Sequence, residues 1–506
     1  MNYVRGEDRN QITCMYCLDD EIAQDNIVRL IDILIDRIIS ENPEIYRKTG
    51  RNIVGRPAFS PSHMLKLFLY GYINRIPSSR RLANECLRNI EVMWLLNNVK
   101  PKYRAIADFR KDNYVAIKEM TITFRIMLKE WNLITGQLAA IDGTKIKGNS
   151  RKYGLSKKKI EEKIEQLSIN IDRYLQILES NDRNDELPED DDINDDNSNT
   201  QQSLCKQIDK LESEKKHLNE LLEKSKSEKD RKVSPTDPDA RPYVKGRSGF
   251  IGYNIQAIVD SVHKLIMATH MSDASVDINE MIPALDTLEE ETGIVPGELI
   301  ADNGYENVAA LQEIEAKGET EVYVMGKVGN SKKSKKFHKR EFKYDKESDT
   351  YTCPEGNILS KTSEKASSRK KRPAYQYRCS AEKCNNCPLK SKCTMSEKGR
   401  MVYRYVDEEW LEDYHEKMKA DYASKLLKSR KGMIEHVFGV IKCWMGKIPL
   451  LLRGKQNVET EINIYATGFN LKRIVNLFGF HIVKEMIMGV KLPIFRIFYY
   501  YFYACA

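Results

Sequence analysis

Two β-rich runs in this chain end in an aspartate followed by a glycine-containing polar turn: LAAIDGTKIKG, with Asp142 and Gly143, and ELIADNGYEN, with Asp302 and Gly304. A carboxylate just past the end of a buried strand lies at a sheet's edge, where ligand sites form in open α/β folds. The glycines let the backbone pass close to a phosphate or an ion. One Asp-Gly pair is ordinarily a turn; two at matching strand ends point to a site. A third acid lies in SRKGMIEHVFGVIKCWMGK. On a helix Glu435 and Lys442 are two turns apart and share a face. Met433, Val437, Val440, Ile441 and Trp444 supply apolar contacts, with Arg430, Lys431 and Lys442 as a cationic rim. A partly buried glutamate there needs a reason. The ordinary one is an ion pair with Lys431 or Lys442; the sharper one is a third carboxylate joining Asp142 and Asp302. Three carboxylates brought together repel unless divalent cations neutralise them, so their convergence predicts Mg²⁺ or Mn²⁺. Two such ions, about 3.5–4 Å apart, serve in-line phosphoryl displacement.

Five of the 11 cysteines crowd into residues 353–393. Cys384-x2-Cys387, then Cys393, with Cys353 in a Cys-Pro-x-Gly turn upstream, predict a closed structural Zn²⁺ site. Cys379 competes as a ligand, and reduced, metal-free thiols are the alternative. The strips KKSKKFHKR and SSRKKRP around them suit phosphate backbones or solvated loops. Cys14-x2-Cys17 has no partner pair nearby and carries little weight.

The elements that must position these residues are legible in the periodicity. Residues 26–130 read as short helices, with Pro61 at a first turn and Ser78 or Ser79 as a cap. Arg80, Arg81 and Arg88 stud one of them and suit a helix-turn-helix docking on DNA; an ordinary bundle with a solvated basic face is the alternative. In 156–229 the 4-3-4 spacing of Ile160, Ile164, Leu167, Ile171, Tyr174 and Leu178 predicts one coiled-coil seam. Leu204, Ile208, Leu211 and Leu218 predict a second, and the acidic run 181–200 between them reads as a flexible link. The result is an antiparallel helical hairpin inserted in the body. From 242 onward the order is hairpin, helix, strand, helix, strand, with the strand QLAAID upstream. That order belongs to a mixed α/β sheet with helices on its faces. The expected division is 1–130 helical, 131–330 the first part of the core, 331–405 a basic Cys-rich insertion, 406–475 the last core helices, and 476–506 an apolar tail.

With 506 residues and a net charge of +8, the chain has room for two to four domains. Its 41% hydrophobic and 31% charged residues exclude a fibrous or wholly disordered protein. The start MNYVRGEDRNQ lacks a signal peptide's apolar region, predicting a cytoplasmic chain. The tail PIFRIFYYYFYACA is short of the roughly 20 residues of a membrane span and reads as a buried or self-associating segment.

IDGTK, ADNGY and EHVFGVIK together resemble the three acidic motifs of bacterial insertion-sequence transposases of the DDE type. GRPAFSP, LKLFLYGYINRIPSSRRLANECLRNIEVMWLL and GYNIQAIVDS resemble other stretches of one such family, in the expected order over roughly residues 20–475. The resemblance implies a ribonuclease-H-like core in which Asp142, Asp302 and Glu435 are the catalytic acids. They stand 160 and 133 residues apart, consistent with insertions in both intervals. It also implies DNA as partner, two or more protomers on paired ends, association with the nucleoid, and a phosphate grip for Lys442. Tyr422 and Arg430 match the family's tyrosine and arginine at an altered spacing. A metal-dependent nuclease without strand transfer, or an inactive zinc-containing DNA-binding protein, remain as alternatives. Glu412, Glu416 and Glu459 are the substitute third acids.

Overall fold

The computed structural model describes residues 17–43, 58–150, 154–184, 195–228, 231–245, 248–272, 274–324, 337–367, 373–435, 437–439 and 450–489. Lys442, Cys14, the basic runs 332–336 and 369–372, residues 185–194 of the acidic link and the apolar tail from 490 lie outside them. The chain forms two compact units, Met1–Pro296 with Lys431–Ala506, and Gly297–Arg430.

In the first unit, helix Ile27–Glu41 starts where the Asn26 side chain accepts the Val28 N–H at 3.0 Å. Its residues Leu30, Ile31, Leu34, Ile35 and Ile38 repeat at helical spacing and are fully buried. Helix Pro61–Ile73 begins at the expected proline and is buried from Met64 onward, because Ile27–Glu41 and Lys455–Phe478 both pack on it. Its Lys66 is tolerated inside because Asp32 and Asp36 hold the ammonium at 2.6 and 2.8 Å. Helix Lys455–Phe478 also packs on Tyr114–Glu130 and on the sheet. The N-terminal helices and the sheet therefore share one core instead of forming separate bodies.

That sheet is built on β3 (Ser248–Asp260). β1 (Leu138–Lys147) runs antiparallel along residues 252–260, and β2 (Arg241–Lys245) pairs with the start of β3. β4 (Ile266–Ser272) folds back on β3 as the hairpin that its sequence predicts. Between β1 and β2 the chain forms helices Lys157–Asn184 and Asp195–Ser227. Ile160 clusters with Leu218 and Leu221, so the start of one helix lies against the end of the other.

Glu461, fully buried on Lys455–Phe478, accepts the Leu451 and Leu452 N–H groups at 3.0 and 2.7 Å. Burial pushes its carboxyl up to about 7, against the pull of Arg110. This exceeds the unfolded value of about 4.3, so the stabilisation is complete below about pH 4 and is lost as pH rises through 7. Urea-unfolding midpoints should fall between about pH 4 and 7 from this group in the native chain, and that part of the fall should be missing in Glu461→Gln, which keeps an acceptor oxygen. Equal slopes in the two proteins would refute this.

The second unit contains β5 (Glu298–Ala301) and β6 (Glu321–Val324), which are parallel. Helix Val308–Lys317 connects them and is closed by Gly318 at φ 71°, a left-handed cap. A five-stranded antiparallel sheet follows: β7 (Lys343–Asp345), β8 (Thr350–Thr352), β9 (Ile358–Ser367), β10 (Pro373–Arg378) and β11 (Met401–Tyr405). Tyr351, Leu359, Tyr377 and Val402 fill its core. No helix among the described residues is long and apolar enough to cross a membrane.

Candidate active site

Asp142 is half-buried in the middle of β1, not at its end. The strand continues to Lys147 because Gly143, Thr144, Lys145 and Ile146 keep pairing with Gln256, Ile255, Asn254 and Tyr253. Gly143 is therefore a strand residue and not a turn. Its N–H donates to Asp142 Oδ1 at 2.8 Å. A Cβ on Gly143 would stand 2.7 Å from Asp277 Oδ1 and 2.8 Å from Gln256 Nε2, so only glycine fits without displacing them.

Those neighbours form a polar network that the sequence reading missed. Asp277 accepts from Asn254 Nδ2 and Gln256 Nε2, each at 2.8 Å, and from the Lys145 ammonium. Burial opposes the charge of Asp277, yet these donors outweigh it and hold the carboxyl below its usual range. The available signal was in GYNIQAIVD, where Asn254 and Gln256 alternate with apolar residues on a strand that is buried on both faces.

By strand alternation Asp142 faces the opposite way, with Thr144 and Ile146. A cavity of about 30 Å³ lies on that face, lined by Thr144, Ile255, Phe438 and Tyr465 among others. The π-helical turn Lys431–Glu435 packs on β1 and β3. Such turns are frequent at functional sites. Met433, Ile434, Val437 and Phe438 take its buried side, and Glu435 is exposed. The expectation of a partly buried glutamate is corrected accordingly. Arg430 is half-buried.

In the second unit Asp302 directly follows β5, as its sequence predicts, and is half-buried. Its Oδ1 accepts the Gly304 N–H at 2.7 Å, capping the short 3₁₀ turn Asn303–Tyr305. Tyr422 is exposed and its hydroxyl donates to Glu298 at 2.8 Å.

The four cysteines expected to bind zinc lie in the five-stranded module with Cys379, all as free thiols. Cys353, Cys379, Cys384 and Cys393 join one apolar cluster. Among the described residues, however, no three His, Cys, Asp or Glu side chains form a group that could hold a metal ion. Cys393 nevertheless lies within electrostatic reach of Cys353, Cys384 and Cys387. Burial, with a contact to Cys384, pushes the Cys379 thiol up to about 12, and burial also raises Cys393. These sulfurs pack as small apolar groups.

On helix Ser79–Arg88, Arg80, Arg81 and Arg88 are all exposed. Arg80 lies 5.3 Å over the Tyr103 ring, and Arg88 is 2.6 Å from Glu85.

Three family models match the chain. The description "Transposase DDE domain" covers residues 204–385 in one and 352–475 in another. "Transposase domain (DUF772)" covers 16–112. The chain is a DDE transposase of the insertion-sequence type. It is accordingly a DNA transposase, an enzyme of the polynucleotidyl transferase kind. The matched spans of the transposase include Asp302 and Glu435 and leave Asp142 outside. No curated protein matches it. Among solved structures it is similar to a piggyBac transposase synaptic complex with hairpin DNA, at 9% identity over 92% of this chain and 80% of that one. The TM-score of 0.32 is too low for that likeness to carry an argument.

Proposed function

We propose that this transposase cuts DNA at the ends of its element and joins the freed 3′-OH to target DNA, with Asp142, Asp302 and Glu435 as catalytic acids. The family matches support this reading: together they cover residues 16–112 and 204–475, with Asp302 and Glu435 inside them. Three carboxylates offer the hard oxygen donors that Mg²⁺ or Mn²⁺ takes. When bound, the metal supplies charge neutralisation at the attacking and leaving oxygens. Asp142 and Asp302 each have one oxygen engaged by a backbone N–H one or two residues on, which fixes their rotamers. Water attacks first and the freed 3′-OH second, so both steps are in-line displacements at phosphorus by an oxygen nucleophile. Neither needs a covalent intermediate on a side chain.

In this reading Arg80, Arg81 and Arg88 contact DNA through the helical region, and Arg430 and Lys442 grip phosphates near the acids. The core is ribonuclease-H-like, the helices within 156–229 are an inserted coiled-coil hairpin, and 331–405 is a further insertion. Two or more protomers act on paired ends at the nucleoid in the cytoplasm. Purified protein with Mg²⁺ should nick a labelled element end and ligate it to a target duplex. Nicking without joining would leave a nuclease instead.

A further inference from the structure

The positive charge of the chain sits in a stretch that the proposed chemistry does not use. Residues 331–405 carry 21 Lys or Arg against 8 Asp or Glu, a net +13. The whole chain sums to only +8, so everything outside that stretch sums to −5. Such asymmetry selects a polyanionic partner.

Not all of these cations are available to a ligand. Lys339, Lys346, Lys361 and Arg404 are held by Glu408, Glu409, Asp349 and Glu412. Among the described residues, Lys383, Lys390, Lys392 and Lys398 lie on a small lobe formed by helices Ala381–Asn385 and Lys390–Cys393 and the turn that follows them. Arg400 staples the lobe. Its N–H donates to Cys384 Sγ at 3.3 Å, and its guanidinium donates to the Cys393 and Phe337 carbonyls at 3.1 and 3.0 Å. The Phe337 N–H donates to the Lys392 carbonyl at 2.8 Å. Phe337 is thereby fixed beside Lys392. Asn385 donates to the Glu397 carbonyl, and Arg378 to that of Lys398. Lys383, Lys392 and Lys398 are exposed on this pinned frame. Ammonium groups on a rigid base lose little backbone entropy when they meet phosphates, and as point charges they read no base.

We propose that this lobe, through Lys383, Lys392 and Lys398, is a second, sequence-independent binding surface for the duplex DNA backbone, distinct from Arg80, Arg81 and Arg88. It rests on the transposase reading only in taking duplex DNA as the polyanion. The test uses the full chain and a duplex without element ends, with affinity followed from about 50 to 200 mM salt. Each phosphate contact contributes about 0.9 to the slope of log affinity against log salt. The triple variant Lys383→Gln, Lys392→Gln, Lys398→Gln should flatten that slope by roughly 2.7, and the triple Lys→Arg variant should keep it. An unchanged slope in the glutamine triple, with element-end cleavage intact, overturns this proposal alone. Wild-type protein that binds no duplex overturns the transposase reading as well. An RNA that binds the lobe in place of DNA overturns the choice of partner.

Discussion

Asp142→Asn, Asp302→Asn and Glu435→Gln should each bind element-end DNA within about twofold of the native protein and cleave it about a thousandfold or more slowly. The substitutions preserve shape and remove charge, and charge is what recruits a divalent ion. A thousandfold is about 4 kcal/mol of barrier, within what an ion contributes at the attacking and leaving oxygens. Binding survives because the arginines of Ser79–Arg88 are separate from the acids in sequence and element. Omitting Mg²⁺ should reproduce the variants. Mn²⁺ should restore a weakened site better, since it tolerates less ideal ligand sets. Single-turnover cleavage of a labelled end decides it. Near-native cleavage by Glu435→Gln would show that the third acid is another residue. The substitutes are already engaged: Glu412 holds Arg404 through two contacts of 2.8 Å, and Glu459 meets Tyr114 and Lys118. Glu416 pairs with Lys419 on the surface.

Arg125→Met should cost about 3–5 kcal/mol of stability, the largest loss expected from any single ion pair here. Arg125 is 1% exposed and donates to Glu291 at 2.6 Å and to Thr269 Oγ1 at 3.0 Å. Removing it leaves the buried Glu291 carboxylate with Lys118, at 3.3 Å, as its remaining cation. Replacing both partners with methionine should recover most of the loss, because the cost lies in the stranded charge and not in the missing bond. Arg88→Ala, which removes an exposed guanidinium from Glu85 and leaves that carboxylate the Asn89 Nδ2 donor at 3.1 Å, should cost about 1 kcal/mol. Urea-unfolding midpoints compare the three. A loss below about 1 kcal/mol for Arg125→Met would refute the stranded-charge account of this pair.

The local grammar was legible wherever one residue's own backbone preference decides the outcome. Pro61 opens a helix, Gly318 closes another in the left-handed conformation, and the β3–β4 hairpin forms where its sequence places it. Asp302 follows β5 for the same reason, because Gly304 lets its carboxylate fold back on the chain. Local preference failed at Asp142. An Asp-Gly pair ordinarily turns, but nine residues of β3 offer β1 an unbroken ladder, and tertiary pairing overrode the turn.

By itself the sequence determined the family, through acidic motifs in order, and the helix and strand types, through their periods of 3.6 and 2. It also determined where the positive charge lies. Only the tertiary structure decided which of those residues meet. It joined the N-terminal helices and the sheet through Lys455–Phe478, set Asn254, Gln256 and Asp277 behind Gly143, and left Glu435 exposed on a π turn. It packed Cys353, Cys379, Cys384 and Cys393 into one cluster with aromatic and aliphatic neighbours. The reason is range: a cap or a turn is closed by neighbours a few residues away, whereas burial and ligand geometry depend on contacts between residues from 21 to 346 positions apart.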